Sequence, residues 1–491
     1  GSNVLYSNTT GYENVAIGQC TMYANTTGVE NTAVGCGALM TNTTAHANTA
    51  IGRAALRLNT TGTKNVSIGR NSLCANTTAD CNTAVGFQTM CTNTEGHSNT
   101  AVGINALFAN TTADENTAVG KSALQANTTG ASNTAVGTQS LLSNTEGCQN
   151  VAVGLGSLYD NTTGDFNVAV GTSALENNTT ANSNTSIGYK SLFTNTTAAN
   201  GTAVGVCALH ANTTGASNTA VGSYALDANT TGATNTAVGE SALYSNTTAA
   251  NNTAVGQNSM AANTTGTLNV AVGKSALEDQ TTGGCNTALG YAALCTLTTG
   301  TDNVGVGIQA GDSVTEGATG TYVGGYAGQA VTTGNGTYIG KNAGYNATTG
   351  VNNVAVGLSA GNDIFNITNH SNRIVLSNNS ATNAYIKIDW TVTSDERDKM
   401  NFEEVPHGLD FVNQLKPVSF VFKKSREDNT PHGPQKYGFK AQDILALEGD
   451  NNVIIDNEND EHLKVTSSHL IPVLVKAIQE LKTEIDELKK K

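Results

Sequence analysis

The motif Asn-Thr-Ala-Val-Gly, or a close variant, begins at positions 14, 31, 48 and 65 and then at every seventeenth position to 303. That makes eighteen starts without an insertion or deletion, and looser copies begin at 320, 336 and 353. A chain with so strict a period folds as a stack of equivalent coils, because each unit can bury its apolar side only against its neighbours. Residues 1–13 read as the tail of an earlier unit, with Leu5 and Asn8 at its Leu and turn positions, so a longer chain is expected.

Counting Asn31 as position 1, positions 2 and 4 are mostly Thr or Val and then Val, Ile or Leu. Position 3 is usually Ala, position 5 is Gly, and positions 8 and 9 are a small residue and then Leu or Met. Positions 12–15 read Asn-Thr-Thr-Gly or Asn-Thr-Thr-Ala. Alternation at positions 2 and 4 is a strand signal, and the Gly and the Asn-Thr-Thr-Gly run are turn chemistry. One such unit then holds two short strands and two turns, with no room for an ordinary helix. The expected fold is mostly β: a parallel β-roll or β-solenoid of about 21 coils over residues 1–360, rising about 4.8 Å per coil. An extra residue would turn a coil's inward side chains outward, which explains the strict period. Identical Asn and Thr positions would stack as hydrogen-bonded ladders. The expected core is one Leu and one or two Val-sized side chains per coil. Small Ala and Ser residues are left to form a flat outer face, suited to packing on further copies in a homotrimer.

Composition narrows the function classes. All five Pro lie after residue 400, which fits coils whose every backbone N–H has a partner. Ten of the 24 Lys and Arg fall in residues 1–390 and fourteen in the last 101. A net charge of -14 argues against nucleic-acid binding. The absence of a long, uninterrupted apolar run argues against membrane insertion by a helix. The nine Cys show no CxxC spacing, and the repeats lack a regular Asp, so no metal or cofactor is expected. Cys74 and Cys91 share position 10 of consecutive coils, where a disulfide is possible on distance. The recurring Asn-Thr-Thr, as at Asn25, Asn42, Asn110 and Asn229, is formally a glycosylation acceptor but reads as a stacked turn. No pair of carboxylates recurs at a fixed place, as glycoside hydrolysis would require. These repeats resemble the head repeats of trimeric autotransporter adhesins and the Gly-rich repeats of phage tail fibres, although their period is longer than the one usual in adhesin heads.

Beyond residue 360 the repeat fades. Residues 361–393 read as a transition with strands at Arg373–Leu376 and Tyr385–Trp390. Residues 394–491 read as a small α+β domain, opened by the charged block Ser394–Lys399. Leu415–Phe422 reads as a strand, Tyr437–Ile444 leads into a short helix, and Val453–Ile455 is a further strand. The last helix, 467–491, is capped by Ser467 or Ser468. Along it Ile471, Leu474, Ile478, Leu481, Ile485 and Leu488 alternate spacings of three and four, a coiled-coil seam.

The Ser394–Lys399 block, Leu415–Phe422, Gly438–Ile444 and the Leu470–Leu488 helix resemble, in order and spacing, the C-terminal intramolecular chaperone of phage tail fibres and endosialidases. The resemblance implies a virion-surface or extracellular fibre protein, homotrimeric, facing a host-surface receptor or glycan. Its last domain would template folding and then cut itself off. It implies cleavage at Thr393–Ser394, with Ser394 as nucleophile and Lys399 as its base. His407, His432, His462 and His469 are rival bases. The alternative is an extracellular trimeric adhesin whose last domain does not cleave.

Overall fold

The computed structural model describes residues 1–362, 367–378, 380–381, 384–385, 387, 393–424, 426–449, 452–458 and 460–490. It divides into two compact units, one ending at Leu376 and one running from Ser377. The predicted strand Tyr385–Trp390 falls largely outside the described residues.

The first unit is a parallel β-solenoid. Twenty-two three-residue strands, β1 (Val15–Ile17) to β22 (Ile374–Leu376), each occupy positions 2–4 of a coil. Each pairs in parallel and in register with the next, as Thr32↔Thr49 and Val34↔Ile51. The offset between partners is one shorter at Thr321↔Thr337 and three longer at Val354↔Ile374. Arg373–Leu376 therefore closes the solenoid instead of beginning a separate segment.

Among the described residues one strand forms per coil, not two. The remainder is a run of turns in which non-glycine residues at positions 7, 9 and 17 take positive φ, as Ala54 (58°), Leu56 (49°) and Lys64 (59°) do. Such backbone is uncommon for Leu. It is held because these segments also bond from coil to coil. Ala54 N donates to Cys36 O, Leu56 N to Ser72 O, Leu58 N to Cys74 O and Lys64 N to His46 O, at 3.0–3.2 Å. At position 5 the bend needs glycine on two counts. Gly35 has φ of 136°, and a Cβ there would fall on the carbonyl of Gly52.

The strand faces the opposite way from the expectation. Ala33, Ala50, Ala84 and their equivalents at position 3 are fully buried, while Thr and Val at positions 2 and 4 line the outside. The Ala side chains of positions 3 and 8 share one core with the Leu or Met of position 9, and Ser at these positions, as Ser67 and Ser72, is buried too, so they form no outer face. The interior is too narrow for anything larger. A Cβ at Gly305, a position-3 glycine, would already crowd the Leu294 side chain. In the last coils the volumes are exchanged: Tyr322 and Tyr338 fill position 3, and Gly311, Gly328 and Gly344 replace Leu at position 9.

Two columns of buried Asn complete the interior. At position 12, Asn42 Nδ2 donates to Asn25 Oδ1 (2.8 Å) and to Ala45 O (3.2 Å). At position 1, Asn48 N donates to Asn31 Oδ1 (3.0 Å) and Asn48 Nδ2 to Gly62 O (2.9 Å). A buried amide is tolerable only when so satisfied. The same burial leaves no room for a glycan on Asn25, Asn42, Asn110 or Asn229 in the folded solenoid. The position-12 column ends at Gln280; beyond it stand Leu297, Val314, Val331 and Ala347, all buried.

The second unit holds a six-residue helix α1 (Leu409–Gln414), a hairpin of β23 (Val418–Lys423) and β24 (Pro431–Gly438), and helix α2 (Ala441–Glu448). A short hairpin, Ile455–Asp456 with Lys464–Val465, precedes helix α3 (Leu470–Leu488). Ser467–His469 form a 3-10 turn and no side chain caps α3, so the capping role read for Ser467 or Ser468 does not hold. Phe411, Ile444, Ile454, Ile455, Leu470 and Val473 make the core.

Candidate functional site

The Ser394–Lys399 block of the second unit is built on a single turn. Glu396–Asp398 form a 3-10 helix with Asp395 as its cap: Arg397 N donates to Asp395 Oδ1 at 2.9 Å. The Arg397 guanidinium closes on the same carboxylate, Nε to Oδ1 at 3.0 Å and Nη2 to Oδ2 at 2.6 Å. That ion pair holds the Asp395 carboxyl below its usual range. Lys399 N donates to Glu396 O at 3.1 Å, which ends the turn and returns the chain toward its start.

A spacing of five cannot bring two side chains together on a regular helix, but this turn does so. Lys399 Nζ donates to Ser394 Oγ at 2.6 Å and lies 3.4 Å from Ser394 O. Thr393, Ser394 and Lys399 are all exposed. The four histidines are engaged elsewhere. His407 stacks on Phe411, and His432 Nε2 meets Ser380 O at 3.0 Å. His462 meets Arg426 at 3.3 Å, and His469 Nδ1 meets Val453 O at 2.7 Å.

Residues 394–453 match the family model described as chaperone of endosialidase. The match begins at Ser394, the residue held by Lys399. No curated protein matches the chain. The chaperone-like segment thus covers the opening turn, α1, the hairpin and α2.

Helix α3 follows it and has two apolar faces. Leu470, Val473 and Ala477 are buried in the domain, against the elements that include α1. The six seam residues Ile471, Leu474, Ile478, Leu481, Ile485 and Leu488 are 42–69% exposed, so the domain core does not absorb them. Two polar residues one helical turn apart tie α3 to the start of α1 and the segment before it: Lys476 Nζ donates to Val405 O and Leu409 N to Glu480 Oε2, both at 2.6 Å.

Sequence reasoning missed α1, although the spacing of Phe411, Val412 and Leu415 is an amphipathic signal. It also missed Glu448. This buried carboxylate accepts the N–H groups of Val453 and Ile454 at Oε1 (2.9 and 2.7 Å) and of Ile455 at Oε2 (2.9 Å). No local pattern announces that role, because it depends on the chain returning over the end of α2. Among the described residues no helix is long and apolar enough to cross a membrane.

Proposed function

We propose that the protein is a structural fibre, a tail-fibre or surface-fibre shaft, whose last domain trimerises, templates shaft folding and releases itself by cutting Thr393–Ser394. The observation that carries the cleavage is the 2.6 Å contact between Lys399 Nζ and Ser394 Oγ at the first residue of the chaperone-like segment. In its neutral form the Lys399 amine accepts the Ser394 hydroxyl proton. Oγ then adds to the Thr393 carbonyl carbon. The Thr393–Ser394 C–N bond breaks, the proton passes to the Ser394 nitrogen, and the acyl group rests on Oγ as an ester. One water hydrolyses that ester and frees the new carboxyl end.

The exposed seam on α3 supports the homotrimer, since six large apolar side chains along one helix face call for a partner helix. The uniform solenoid supports the templating role. Coils of one fixed length allow copies to associate one whole coil out of register, and a nucleus at one end selects one alignment. On this reading the side chains that vary from coil to coil along the solenoid wall meet a host-surface receptor or glycan, and the protein is a virion-surface or extracellular fibre.

Intact-mass measurement tests the reading. The parent chain yields fragments 1–393 and 394–491, while Ser394→Ala and Lys399→Ala each remain one chain of 491 residues. Light scattering of the uncut variants gives about three times 50.2 kDa. A parent chain that stays whole after long incubation of the folded assembly removes the proteolysis. A stable micromolar monomer removes the trimer.

A further inference from the structure

Position 10 of each coil points to the outside wall, and its side chains stack into a column along the solenoid. Over five coils the column reads Met40, Arg57, Cys74, Cys91 and Phe108. Of the nine cysteines, Cys74 and Cys91 alone occupy the same position of consecutive coils. Their sulfurs are 3.0 Å apart, and Cys74 Sγ also approaches Cys91 O at 3.4 Å. Both are free thiols and partly exposed. In-register stacking sets their Cα separation at about 4.8 Å, within the range a disulfide spans. A covalent S–S bond of about 2.0 Å needs roughly 1 Å of sulfur travel, a small side-chain rotation.

We propose that Cys74 and Cys91 are a modification site, a vicinal dithiol on the solenoid wall that closes to a coil-to-coil disulfide when it meets a small-molecule disulfide. The reaction is thiol–disulfide exchange and it balances. Cys74 thiolate attacks one sulfur of the reagent and expels the other half as a thiolate. Cys91 then loses its proton to that base, attacks Cys74 Sγ and expels the second half. Two protein thiols are oxidised and one reagent disulfide is reduced to two thiols.

The order of attack follows from the column. The Cys91 hydrogen bond, reinforced by the Arg57 guanidinium on the preceding coil, lowers the Cys74 thiol to about 7. The proton is then held on Cys91, whose thiol is raised by that same bond and by burial. Cys295 is a built-in control. It sits at position 10 of a later coil, but its column neighbours are Glu278 and Asp312, and burial with those carboxylates pushes it up to about 12. Identical backbone geometry therefore presents one activated pair and one inert thiol.

The test incubates the folded full-length chain with oxidised glutathione near pH 7, blocks free thiols with iodoacetamide, and maps the peptides without reduction. The expected result is a cross-link between the peptides holding Cys74 and Cys91, reversed by dithiothreitol, while Cys295 forms a mixed disulfide at least roughly 100-fold more slowly and is recovered alkylated once the chain is unfolded in the presence of iodoacetamide. Cys91→Ser should stop at a glutathione adduct on Cys74. Recovery of Cys74 and Cys91 both alkylated overturns the proposal. So does a stable adduct on Cys74 of the parent chain without the cross-link, or a Cys91→Ser chain that acquires no adduct.

Discussion

Replacing Asn127 and Gln280 with Leu in separate variants isolates what the position-12 column contributes. Asn127 lies inside the column. Its Nδ2 donates to Asn110 Oδ1 (3.2 Å) and Gly130 O (2.9 Å), and its Oδ1 accepts from Asn144 Nδ2 (2.8 Å). Gln280 ends the column. It donates to Gly283 O only, and Asn263 Oδ1 and Gln280 Oε1 have no partner among the described residues. Leu already occupies the next site, Leu297, fully buried. The gain from burying a Leu side chain is common to both variants and cancels in the comparison. Asn127→Leu then loses two more hydrogen bonds than Gln280→Leu, about 2 kcal/mol at roughly 1 kcal/mol each. It also leaves Asn110 Oδ1 buried without its donor, so about 2 kcal/mol is a lower bound. A long solenoid need not unfold in one step, so the readout is native-state hydrogen exchange of the affected coils, not a single melting temperature. Amides of residues 110–144 in Asn127→Leu should lose roughly 30-fold protection, against little change around 263–297 in Gln280→Leu. Equal losses in the two variants would refute the hydrogen-bond accounting.

Three further outcomes follow from the same geometry. Gly328→Leu alone should open the coils around 320–344, because its Cβ would collide with the Tyr322 ring; adding Tyr322→Ala should recover much of the loss, measured as a double-mutant coupling. Glu448→Ala should destabilise the second unit by about 3 kcal/mol, since three backbone N–H groups lose a charged acceptor, and urea denaturation monitored by helix signal checks it. Ile478→Asp, on the exposed face of α3, should abolish the assembly in light scattering while leaving the helix content of the domain unchanged.

The period, the strand at positions 2–4 and the final helix were legible because each is a local pattern repeated or extended along the chain. The direction of the strand was not. Hydropathy favours Val34 inside over Ala33, yet the interior is bounded by turns so tight that position 3 takes Ala opposite Leu, or Tyr only opposite Gly. Side-chain volume decides here, and a single unit does not reveal the volume available. The second strand was lost for a related reason. Leu56 and Lys64 carry no sign of positive φ in their chemistry; bonding to the coils above and below imposes it. At the candidate site the residue types were legible through family likeness, but the turn that joins Ser394 to Lys399 depends on Asp395 and Arg397 closing on each other. The seam on α3 was legible as a spacing, while its separation from the buried face of Leu470, Val473 and Ala477 required the packed domain.

The exchange of Tyr for Ala and Gly for Leu in the last coils also bears on how the chain counts. Between positions 31 and 300 one coil can be looped out and its neighbours joined with every side chain still facing the same way. Such a skipped coil forfeits the contacts of one coil, and nearly the same contacts wherever in the stretch it is made, so these coils by themselves barely distinguish one place from another. The coils around Tyr322 and Tyr338 differ: a ring there fits only against Gly311, Gly328 or Gly344, and an ordinary Leu coil brought alongside would overlap it. Together with the shortened and lengthened offsets nearby, they act as a fixed index mark from which all other coils are numbered.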